Sequence, residues 1–133
     1  DLNIYEVTRQ GSKVAVLALG DFYDLGEKAV EALSSTLGIE ATLVKPYFAS
    51  GIDQNLLDNL VKDHDVIVTI EDGIIEGGWG QNIASYLGTS SARVLNYGVK
   101  KAFYDRVNIA DLMRESHLEP ELIAADVKQV LDL

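Results

Sequence analysis

The residues best suited to chemistry sit in short polar runs that follow apolar ones. Glu71-Asp72 closes the stretch Val66-Ile67-Val68-Thr69-Ile70, and Gly77-Gly78-Trp79-Gly80 follows shortly after. Adjacent carboxylates can work as a general acid and base, or ligate a hard cation. No third ligand stands at motif spacing, so a structural use is the more economical reading. That use would be to cap the next helix or to accept from the amides of Gly77-Gly78-Trp79-Gly80. The glycines allow backbone to approach another group closely, or to take positive φ values. Trp79, the sole tryptophan, has two readings: an aromatic folded onto its own core, or an anchor at a subunit or domain contact. The contact is favoured, because aromatic anchors are enriched at interfaces.

Other candidates carry less. Gly20-Asp21-Phe22-Tyr23-Asp24-Leu25-Gly26 has neither the G-x-G-x-x-G spacing nor a G-x-x-x-x-G-K-[ST] run, and its two acids would oppose a phosphate. Asp21 or Asp24 reads instead as a helix cap. His64, between Asp63 and Asp65, reads as a solvated loop histidine at the edge opposite the ligand-binding crest. His117 separates the last two helices without a partner motif, so no nucleophile–histidine–acid arrangement is indicated. Lys100-Lys101 reads as a solvated doublet.

These residues must be positioned by alternating strands and helices. Ile4–Thr8 alternates weakly, and Gln10-Gly11-Ser12 breaks it as a hairpin turn would. Lys13–Leu19 is a continuous apolar run ended by Gly20, which suits a strand covered on both faces. Leu25, Ala29, Ala32, Leu33 and Leu37 recur at helical spacing, with Gly38 as the stop. Glu40–Val44 is a second buried strand. Asp53 is placed to cap a helix whose apolar stripe is Leu56, Leu57, Leu60 and Val61. Asp65–Ile70 is a third strand, followed by a glycine-rich loop and a helix from about Gly80 to Leu87. Ala92–Asn96 is a fourth strand, and the remainder is helical, with Pro120 in the first turn of the last helix. The expected fold is a three-layer α/β/α sandwich around a mostly parallel five-stranded sheet, the opening hairpin adding one antiparallel strand.

The 133 residues suit one domain, residues 1–133, and hydrophobic residues at 47% with charged residues at 24% describe an ordinary globular chain. Eleven Lys+Arg against 21 Asp+Glu give a net charge of −10, which argues against nucleic acid and anionic membranes as partners. The longest apolar run, Val14–Leu19, is too short to span a bilayer, which takes about 20 residues. The absence of cysteine excludes a disulfide-stapled fold and accords with a cytoplasmic protein. The chain opens on Asp1 rather than methionine, as an excised piece of a longer protein would.

Val14–Gly20, the Ile52-Asp53 helix start, and Asp63–Asp72 running into Gly77-Gly78-Trp79-Gly80-Gln81 together resemble the transketolase C-terminal domain family. Leu95-Asn96-Tyr97-Gly98-Val99 and the final helix are most like its 1-deoxy-D-xylulose-5-phosphate synthase branch. The likeness covers about residues 4 to 131. It implies a thiamine diphosphate enzyme whose cofactor and Mg2+ are held by upstream domains of the same chain, with no cofactor, no metal and no catalytic residue in this segment. It implies a homodimer, a substrate rim formed by Lys45, Tyr47 and Glu71, and an interface at Asp72, Gly77, Gly78 and Trp79. Tyr47 stands where the family places arginine, and a phenol lacks the bidentate charged grip of a guanidinium on phosphate. The full enzyme would transfer a two-carbon unit from pyruvate to glyceraldehyde 3-phosphate. The alternatives are a non-catalytic interaction module of a divergent homologue, or the C-terminal domain of a 2-oxo acid dehydrogenase beta subunit.

Overall fold

A computed structural model describes residues 5–47, 51–74, 78–99 and 116–133. Its strands are β1 (Glu6–Arg9), β2 (Lys13–Ala18), β3 (Thr42–Lys45), β4 (His64–Ile74) and β5 (Arg93–Val99). The helices are α1 (Tyr23–Leu37), α2 (Gln54–Leu60), α3 (Trp79–Tyr86) and α4 (Pro120–Val130). The five strands form one sheet in the order β1-β3-β2-β4-β5. All neighbours are parallel except β1 and β3.

Apolar residues on both sides of β2 and β4 force helices onto both faces. On one face Val14, Val16, Val68 and Ile70 pack with Val30 and Leu33 of α1 and with Ile123 and Val127 of α4. On the other, Ala15, Leu17 and Ile67 pack with Leu57 and Leu60 of α2 and with Ile83 of α3. Val14 through Ala18 have no solvent exposure, which is what a continuous apolar run demands of a central strand. The three-layer sandwich is therefore present, with its cores on either side of the sheet.

The expected hairpin is not. β1 pairs antiparallel with β3, not with β2, and its register shifts between Val7 and Arg9. The segment after β1 crosses the start of β3 instead of turning back on itself. Gly11 N donates to Thr42 Oγ1 at 2.9 Å and Ser12 N to the Glu40 carbonyl at 2.9 Å, which holds the crossing in place. β4 is also longer than expected: it continues through Glu71 to Ile74, with a shift in its pairing to β5 between Ile70 and Ile74. Gly38, at φ 69°, ends α1 as expected. Asp53 caps α2, its Oδ1 accepting from Leu56 N at 3.1 Å. Ile4 of the first strand, the doublet Lys100-Lys101, and the helix expected within 101–115 lie outside the described residues.

His64 corrects a second expectation. It is 2% exposed and opens β4 rather than lying in a solvated loop. Its Nδ1 faces the Leu60 carbonyl at 2.9 Å and the Asp63 carboxylate at 2.7 Å, both acceptors, so Nδ1 carries the proton. Nε2 then accepts from the Thr42 hydroxyl at 2.7 Å. Thr42 thus links the crossing segment, β3 and β4 through one buried hydroxyl. Thr42→Val keeps the shape but leaves Gly11 N and His64 Nε2 without that partner, and should cost about 2–4 kcal/mol. A denaturant titration checks this, the midpoint falling while the slope stays constant.

Candidate functional site

The candidate site is the crest formed by the carboxyl ends of the parallel strands, where open α/β sheets place their ligands. Strand alternation fixes which side chains meet there. Val66, Val68 and Ile70 face α1 and α4, so Thr69 and Glu71 face α3. Thr69 pairs with Asn96 across β4 and β5, its hydroxyl donating to Asn96 Oδ1 at 2.7 Å. Glu71 is 4% exposed, and its carboxylate meets the first turn of α3. Trp79 N donates to Oε1 at 3.1 Å and Gly80 N to Oε2 at 2.7 Å. Both are charge-assisted bonds, and the carboxylate also opposes the positive end of the helix.

This arrangement requires glycine at position 80. A Cβ there would lie 2.4 Å from Thr69 Oγ1 and 2.9 Å from both Asn96 Oδ1 and Glu71 Oε2. Only a bare backbone comes close enough for its amide to reach Glu71. Gly78 caps α3 in extended backbone at φ −81°, so close approach at Gly80, rather than positive φ at Gly78, is the use the glycine run serves here.

Trp79 is folded into its own core, which corrects the expected interface role. It is 3% exposed, its Nε1 donates to the Tyr5 hydroxyl at 3.0 Å, and the two rings meet edge-on with centroids 6.3 Å apart. A side chain so enclosed has no face left to offer a partner. Glu71 lies beneath the crest as an internal cap of α3. Gly77 and the Asp72 side chain lie outside the described residues.

Lys45 and Tyr47 are both exposed at the carboxyl end of β3. Tyr47 is 52% exposed and donates its hydroxyl to Glu6 Oε1, a bond that raises its pKa. Lys45 is exposed, with its ammonium 5.4 Å above the Tyr23 ring. Neither Asp21 nor Asp24 makes the expected capping bond to α1, because a short 3-10 turn over Gly20–Phe22 leads into it and Phe22 occupies the cap position. Both acids nevertheless sit at its positive end.

A cluster that the sequence did not reveal lies between β5 and α4. Asp126 Oδ2 accepts from the Tyr97 hydroxyl at 2.7 Å and from His117 Nδ1 at 2.9 Å. His117 therefore has a partner, a half-buried aspartate of α4 that also holds the buried Tyr97 of β5. Tyr-Gly ending a strand and an aspartate mid-helix carry no spacing signal that links them.

Residues 5–123 match the family described as transketolase, C-terminal domain. The chain belongs to that family. It is 35% identical to a 1-deoxy-D-xylulose-5-phosphate synthase from Pseudoalteromonas translucida, over 96% of this chain and 20% of that protein. A synthase of the same description from Pseudomonas fluorescens is 32% identical over 96% of this chain and 20% of that protein. The chain thus spans about a fifth of the length of the curated relatives it matches. Among solved structures, one described as a split gene transketolase, inactive beta4 tetramer, superimposes with a TM-score of 0.83 and 25% identity, covering 100% of this chain and 43% of that one. A transketolase from Pichia stipitis, at TM-score 0.59 and 16% identity over 94% of this chain and 17% of that chain, shares the fold.

A thiamine diphosphate–magnesium group, which this family implies, does not fit the described crest. Among the described residues no three His, Asp or Glu side chains converge as metal ligands. The helix N-termini that could hold a diphosphate already face carboxylates of this chain: Glu71 at α3, Asp53 at α2, and Asp21 with Asp24 at α1.

Two outcomes follow from this geometry. Gly80→Ala should displace the start of α3 and cost about 1–3 kcal/mol, read as a lower midpoint in thermal unfolding. Burial first, then the bond to Asp126, raises the Tyr97 pKa far above its ordinary 10.0. The unfolded chain loses that proton near pH 10 while the folded one keeps it, so stability is full below pH 10 and falls above it. Tyr97→Phe should flatten that alkaline slope, measured by unfolding at stepped pH.

Proposed function

We propose that this chain is the C-terminal domain of a transketolase-type transferase of the 1-deoxy-D-xylulose-5-phosphate synthase kind. The observation that carries this is the alignment of nearly the whole chain with about a fifth of the length of several such synthases. In this reading the full cytoplasmic enzyme takes a two-carbon unit from pyruvate, releases carbon dioxide, and joins the unit to glyceraldehyde 3-phosphate. Thiamine diphosphate and Mg2+ belong to domains upstream of this one, and the enzyme works as a homodimer. The domain contributes packing and part of the substrate-channel rim.

Within that rim Lys45 is the residue suited to a sugar phosphate. Its ammonium is exposed and rests on the Tyr23 ring, whereas the Tyr47 hydroxyl is committed to Glu6. A point charge of this kind can hold a phosphate without the fork of an arginine. Co-expression of this chain with the thiamine diphosphate-binding domains of its parent should yield deoxyxylulose phosphate from the two substrates. Lys45→Ala should then raise KM for glyceraldehyde 3-phosphate about tenfold, the worth of one charge-assisted bond, with kcat changed much less. Absence of product from the reassembled enzyme sinks the proposal. An unchanged KM removes only Lys45 from it.

A second reading, an assembly module without turnover, is supported by the TM-score of 0.83 to a chain described as an inactive beta4 tetramer. It requires that the reassembled protein form a defined oligomer and no product.

A further inference from the structure

Tyr5, the first described residue, is 5% exposed and joins three parts of the crest that are distant in sequence. Its hydroxyl donates to the Gly51 carbonyl at 2.7 Å while accepting from Trp79 Nε1 at 3.0 Å. Its backbone N donates to Asp53 Oδ2 at 3.0 Å, and the other oxygen of that carboxylate holds the first turn of α2 through Leu56 N at 3.1 Å. Trp79 in turn begins α3, where its own N is bound by Glu71. One phenol therefore stands between the loop entering α2 and the start of α3.

A hydroxyl that donates once and accepts once here orders two partners at the same time. The Gly51 carbonyl can only accept and the indole N–H can only donate, so the group between them must do both, as a hydroxyl does through one atom. The Tyr5 ring packs edge-on against the indole, which fixes where the hydroxyl can point. β1, which Tyr5 leads into, is an exposed four-residue edge strand with a register shift, and cannot set this position by itself.

We infer that Tyr5 is a positioning residue: its hydroxyl sets where the Gly51–Asp53 segment sits relative to α3. Tyr5 thereby couples the Gly51–Asp53 segment to the start of α3. The linkage is independent of the reaction the parent enzyme performs, so an assay of that reaction does not decide it.

Hydrogen exchange of the 133-residue chain by NMR provides the test, with Trp79 as its single indole reporter. Tyr5→Phe keeps the ring and removes the hydroxyl. The Trp79 indole proton should shift and exchange about tenfold faster, and the amides of Leu56 and Leu57 several-fold faster, while those of Val16 and Leu17 keep their rates. Trp79→Phe keeps the Tyr5–Gly51 bond and should leave Leu56 and Leu57 protected. Uniform acceleration across all these amides in Tyr5→Phe overturns the inference, since it reports only lost global stability. Equal opening of the α2 start in both variants also overturns it, because packing rather than the hydroxyl would then be responsible.

Discussion

The crest depends on one carboxylate. Glu71 sits at the end of the central strand β4 and accepts from the first two amides of α3. Without it, two backbone donors at the positive end of a helix would be buried against Thr69, Asn96 and the sheet. With it, α3 is drawn so close to β4 and β5 that position 80 has no room for a Cβ. The same contact seats Trp79 in the core, where its indole reaches Tyr5 and, through it, the loop before α2. Sheet, helix and crest loop are thus ordered from a single buried group.

That internal anion also shapes what the domain can bind. A helix N-terminus is a natural cradle for phosphate, yet at α2 and α3 the cradle is filled by Asp53 and Glu71, and at α1 it faces Asp21 and Asp24. The acids are consistent with the net charge of −10, and Lys45 is an exposed cation above the Tyr23 ring.

Much of this was legible in the sequence where a local pattern caused it. The unbroken apolar run of β2 required cover on both faces, Asp53 stood three residues before a helical stripe, and Gly38 ended another. The acidic pair followed by glycines implied a carboxylate meeting amides, and Glu71 does that. Failures came where the partner was remote. Nothing in four exposed residues of β1 tells whether they pair with β2 or β3. Burial of His64 rests on Thr42 and the Leu60 carbonyl, and burial of Trp79 rests on Tyr5, 74 residues earlier in the chain. The Tyr97–Asp126–His117 cluster is likewise assembled by the packing of α4 on β5.

The chain's own carboxylates occupy the α2 and α3 N-termini of the described crest, which argues against the diphosphate cofactor binding there. Calorimetric titration of the chain with thiamine diphosphate and Mg2+, followed at the Trp79 and Gly80 amides by NMR, tests it most directly. The account predicts no saturable heat up to millimolar ligand and no shift of those amides. Saturable micromolar binding that moves them would contradict it.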